Sequence, residues 1–105
     1  MAWLILVCAG LLEIVWAVAL KQSDGFSRLW PSIVGIGGAL LSFVLLTVAL
    51  RQLPAGTGYA VWVGIGAVGV ALAGVILLGE AVSAGRLVFL SFIVVGIIGL
   101  RLVEA

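Results

Sequence analysis

AWLILVCAGLLEIVWAVAL, residues 2–20, is apolar at every position but one. At ~1.5 Å of rise per residue, a helix over this stretch nearly matches the ~30 Å hydrocarbon core of a bilayer. The run is apolar on all sides, whereas the spanning strand of a membrane barrel alternates over ~10 residues, so a barrel is excluded. Ala17-Val18-Ala19 imitates a small-x-small cleavage site, yet no basic region precedes it and a carboxylate lies inside the apolar run. The segment therefore reads as a helix that stays in the membrane, not as a leader. That carboxylate is Glu13, about eleven residues in and ~17 Å deep, close to the bilayer midplane.

Outward from this run the pattern repeats. A chain of 105 residues with 66% hydrophobic and 9% charged residues cannot keep a water-facing surface. Lys21-Gln22-Ser23-Asp24-Gly25 closes the first run with a turn signal, and Pro31 suits the first turn of the next helix. Pro54 and Gly56 break the chain again, and Gly79-Glu80 ends a third run. In the fourth run only Leu87 to Leu100 is free of charge, ~21 Å of helix. With Ser83 as N-cap it can extend, provided Arg86 and Arg101 snorkel to the interfaces. The prediction is an all-α membrane protein, one domain over 1–105, with four transmembrane helices at about 2–20, 32–50, 55–78 and 84–103.

Net charge +1 without a Lys/Arg cluster gives no footprint for nucleic acid. There is no His, no metal-ligand cluster and no nucleophile beside a base, so neither an enzyme nor a bound cofactor or metal is expected. Cys8, the single cysteine, cannot close an intrachain disulfide and reads as a small packing residue.

Loops this short make neighbouring helices antiparallel. One side of the membrane then carries Arg51 and Arg101, the other Lys21, Arg28 and Arg86, and a margin of one charge gives insertion no firm preference. Both a dual and a fixed orientation stay open on charge alone. A chain of this size cannot enclose a solute path by itself, so an oligomer is expected. If both orientations coexist, a homodimer of oppositely inserted copies is the simplest assembly, and its two-fold axis supplies the symmetry that larger transporters carry within one chain.

An acid at a helix centre costs roughly 2.5–3.5 kcal/mol on translocon-type scales, so Glu13 should face a cavity or a partner. Burial favours its neutral form, and such a group can exchange a proton for a cation. The competing reading is a protonated or internally paired acid that only holds helices together, but no Lys or Arg lies at similar depth. Gly10 and Trp16 neighbour Glu13 at helical spacing, leaving a small-residue groove beside one indole whose N–H can donate to a carboxylate. Tyr59, Trp62 and Gly66 share a stripe on the third helix. Trp62 lies ~12 Å from one end, hence ~18 Å from the opposite face in an inverted partner, near the depth of Glu13. Aromatic faces around a carboxylate make a cation site, although such a stripe is often plain core. Ser42 either bonds back to its own helix or joins the site. Gly64-x-Gly66-x-x-Gly69 matches a dinucleotide fingerprint in letters only, since no strand precedes it. Gly96 and Gly99, with Phe89 and Phe92, suggest a contact face between subunits.

These segments resemble the small multidrug resistance family over the whole chain, and within it the guanidinium-exporter branch. The resemblance rests on Met1-Ala2-Trp3, Ala9-Gly10-Leu11-Leu12-Glu13-Ile14-Val15-Trp16-Ala17, Gly25-Phe26-Ser27-Arg28-Leu29, Pro31-Ser32, Leu53-Pro54, Tyr59-Ala60-Val61-Trp62, Gly64-Ile65-Gly66-Ala67 and Gly96-Ile97-Ile98-Gly99-Leu100. It implies a multi-pass protein of the bacterial inner membrane, working as an antiparallel homodimer whose paired Glu13 side chains bind either protons or one guanidinium-type cation. It further implies that Trp16 and Ser42 orient and hydrogen-bond the carboxylates while Tyr59 and Trp62 complete the pocket. Val63 replaces the family's hydroxyl residue after Trp62, and Gly58 replaces its usual Ala. Loss of that hydroxyl relaxes the pocket's polarity and admits alkyl-substituted guanidinium ions or other hydrophobic cations beside guanidinium. The alternatives carried forward are a broad quaternary-ammonium multidrug antiporter and a non-transporting assembly subunit in which Glu13 is glue.

Overall fold

The computed structural model describes residues 1–104 and contains four helices: α1 Ala2–Gln22, α2 Leu29–Ala49, α3 Ala55–Leu78 and α4 Ala84–Glu104. Each has a stretch of at least 20 residues apolar enough to cross a bilayer. No strand occurs among the described residues. α1 runs on through Lys21 and Gln22, which carry it to the interface. α2 starts at Leu29, ahead of the expected 32, with Pro31 as its third residue. Proline is tolerated there because amide groups of the first turn have no partner within the helix.

Ser23 shapes the turn after α1. It is buried, its hydroxyl donates to the Leu20 carbonyl at 2.6 Å and accepts the Phe26 N–H at 3.2 Å. Asp24, Gly25 and Phe26 then take φ of 51°, 70° and 66°, a left-handed run that reverses the chain within a few residues. α3 stops at Gly79, with φ 70°, and the Gly79 and Glu80 N–H groups both turn back to the Gly74 carbonyl.

α1 is the central element, packed against α2 and α3, while the α4 backbone approaches α3 alone. Small residues set the spacing: a Cβ at Gly10 would meet Ile65 at 2.8 Å, and one at Gly38 would meet Trp16 at 3.1 Å. Leu6 and Ala9 of α1, Leu46 and Ala49 of α2, and Val61 and Trp62 of α3 form the core. The molecule measures 42 × 34 × 17 Å.

Candidate functional site

α1 and α3 meet at mid-membrane, where the Glu13 carboxylate lies over Gly66. A Cβ at residue 66 would occupy the place of that carboxylate, so the acid reaches α3 only because position 66 has no side chain. Glu13 opens onto a cleft of about 410 Å³ whose walls include Val63, Gly66 and Ala67 and whose far end holds Glu80 and Arg86. Within the chain, Glu13 Oε1 and Trp16 Nε1 are both buried without a hydrogen-bond partner. An acceptor and a donor one helical turn apart are thus each left open, and buried polar groups are seldom left so without cause. The bond expected from Trp16 to Glu13 is not made in this chain.

Ser42 is fully buried and bonds across helices instead of to its own. Its hydroxyl donates to the Ala9 carbonyl of α1 at 2.7 Å and accepts the Trp62 indole N–H of α3 at 2.9 Å. The direction Trp62 to Ser42 to Ala9 uses the donors of both side chains and fixes three helices at one level. It also means that neither group donates to the carboxylate in this arrangement. Ring contacts extend the level sideways. Phe43 lies 6.3 Å from Trp16 and 5.5 Å from Trp62, and Tyr59 lies 5.6 Å from Trp62. Tyr59 and Phe43 are exposed, at 57% and 45%, so the row ends at the surface of the single chain.

Phe43 joins the two tryptophans, and the sequence does not mark it. A phenylalanine in a uniformly apolar helix carries no mark of its face, and its only signal was adjacency to Ser42. In sequence, Glu80 marks only a helix end and Arg86 an interfacial cation. At the α3–α4 turn the Arg86 guanidinium, about one-third exposed, reaches Glu80 at 2.9 Å and the Ala71 carbonyl at 3.4 Å, and these acceptors satisfy its N–H groups. Gly96 and Gly99 lie apart from the acid. A Cβ at either would meet nothing within 4 Å, and both line a groove of about 480 Å³ between α3 and α4. Among the described residues no group of His, Cys, Asp and Glu converges as a metal site would require.

A profile of the family described as Small Multidrug Resistance protein matches residues 1–93. A guanidinium exporter of Salmonella typhimurium is 58% identical over 102 residues, covering 97% of this chain and 97% of its own length. One from Yersinia pseudotuberculosis is 58% identical over 102 residues, covering 97% and 98%, and one from Citrobacter freundii is 56% identical over 102 residues, covering 97% of each. With four helices able to span a bilayer and a match over nearly its whole length, the chain belongs to the small multidrug resistance family, as a multi-pass protein of the bacterial inner membrane.

Proposed function

We propose that this protein exports guanidinium and small substituted guanidinium ions in exchange for protons, as an antiparallel homodimer with alternating access. The observation that carries the reading is the buried, unpartnered Oε1 of Glu13 at mid-membrane, one turn from the unpartnered Nε1 of Trp16. A carboxylate that opens onto a cleft and has no internal bond on its buried oxygen binds a proton or a cation, and one displaces the other. Guanidinium is planar and rich in N–H donors, which a pair of carboxylates receives through directed, charge-assisted bonds. The names of the relatives support that substrate.

The exposed α4 and the small size of the chain support a dimer, since four helices of this size cannot close a path around an ion and also turn their outer faces to lipid. In the antiparallel dimer the two Glu13 side chains face one cavity, each beside its Trp16, with Phe43, Tyr59 and Trp62 forming the walls and Ser42 holding Trp62 from behind. Gly96 and Gly99 of α4 make the contact between copies. Proton binding from outside releases the cation, and cation binding from inside releases the proton.

Reconstituted protein under an inward proton gradient should drive guanidinium efflux, and Glu13→Gln should abolish both the flux and proton release on adding guanidinium. Undiminished flux in that variant removes the mechanism. Val63, 39% exposed in the cleft wall, favours a wider reading in which hydrophobic cations are also carried. A quaternary ammonium compared with guanidinium in the same vesicles separates the two, because it has no N–H to donate.

A further inference from the structure

The cleft that begins at Glu13 ends on a second carboxylate, and that carboxylate already holds a guanidinium. Arg86 Nη2 donates to Glu80 Oε1 at 2.9 Å, while its Nη1 donates to the Ala81 carbonyl at 3.0 Å. The left-handed Gly79 folds Glu80 back onto α3, where its carboxylate lies over Gly74 just as Glu13 lies over Gly66. Glu13, Glu80 and Arg86 line the same cavity of about 410 Å³. Arg86 also reaches the Ala71 carbonyl at 3.4 Å, five residues along α3 from Gly66 and therefore about 7.5 Å of helix rise from the acid's level. The side chains of the pair are 32% and 42% exposed, so it sits at the boundary between cleft and water. Ion pairs this exposed are weak and open easily.

We propose that Glu80 is an outer carboxylate of the cation path. A guanidinium ion moving between water and Glu13 takes the place of the Arg86 guanidinium on Glu80, and Arg86 closes the mouth again once the ion has passed. The inference rests on the guanidinium reading above. The chemistry is an exchange of like for like at the carboxylate: Arg86 gives Glu80 one N–H bond and turns its Nη1 to the Ala81 carbonyl, and a free guanidinium ion replaces that bond with N–H donors of the same kind. Without Glu80, Arg86 is an uncompensated positive charge that repels an arriving cation. Without Arg86, Glu80 is an open acceptor that concentrates it.

The test is initial guanidinium flux against concentration in proteoliposomes, for wild type, Glu80→Gln, Arg86→Gln and the double variant, with Glu13→Gln as the blank. Glu80→Gln should raise KM about tenfold with a smaller change in kcat, Arg86→Gln should lower KM, and the double variant should keep the high KM because the transfer carboxylate is gone. An unchanged KM in Glu80→Gln overturns the inference. So do KM shifts of the same sign in the two single variants, which is what a mere strut of the α3–α4 turn would give. If Glu80→Gln does not fold, Arg86→Lys beside Arg86→Gln decides: KM near wild type for lysine and lowered for glutamine supports the plug, and equal KM values overturn it. Wild-type flux that Glu13→Gln abolishes leaves the guanidinium reading standing whatever Glu80 does. Absence of wild-type flux overturns both.

Discussion

Gly66 lacks a side chain, and that absence lets the Glu13 carboxylate lie against α3. Gly66→Ala should therefore displace the acid while leaving the helices in place. Displacing a binding group by about an ångström costs on the order of a hundredfold in kcat/KM, and guanidinium flux should fall by that order while the four-helix circular dichroism signal is kept. Flux within twofold of wild type would mean that the carboxylate acts from another position. Ser42 shows the opposite lesson. From its sequence position, a bond to its own helix and a place in the site were equally open, and the structure has it bridging α2 to α1 and α3. Its hydroxyl sits among three helices, and only the rotation of each about its axis brings those partners within reach.

At the scale of the element, the spans were legible and their faces were not. Hydropathy marks where each helix begins and ends, because hydrocarbon accepts no unpaired backbone and few charges. Within a span that is apolar on all sides, no polar stripe says which side meets a neighbour. Glycines are the partial exception, since Gly10, Gly38 and Gly66 each lie where another helix passes closely. Gly96 and Gly99 of α4 face open space in the single chain. Leucine at position 96 is thus accommodated by the protomer, and in the proposed homodimer it would obstruct the second copy. Gly96→Leu should reduce the cross-linked dimer in membranes by more than half without altering helix content, and full dimer recovery would place the subunit contact elsewhere.

For the whole molecule, the proposed antiparallel homodimer depends on the balance of charge across the membrane. Arg51 and Arg101 stand against Lys21, Arg28 and Arg86, a difference of one. Cysteines introduced at Gln52 and at Ser27 in separate variants should each be labelled from both sides of the membrane. A lysine in place of Ser27 raises the difference to two, and this variant should insert mainly one way and lose most of its flux. Co-expression with a copy biased the other way by added lysines at the Arg51 end should restore it. Labelling from one side alone in the unaltered chain would rule out an antiparallel homodimer.

What the sequence alone determined is what solvation determines: a membrane class, helices of spanning length, and one acid at mid-depth that hydrocarbon does not accept without a purpose. It also fixed the family, because the motifs around Glu13, Tyr59-Ala60-Val61-Trp62 and Gly64-Ile65-Gly66-Ala67 are local in the chain. Tertiary structure alone decided the pairings that cross between helices. The Trp62–Ser42–Ala9 relay, Phe43 between two tryptophans, and Arg86 folded onto Glu80 in the cleft of Glu13 each depend on helix rotation and close approach. Lipid solvates every apolar face alike, so the burial pattern that would reveal such rotations in a water-soluble protein is not written into these helices.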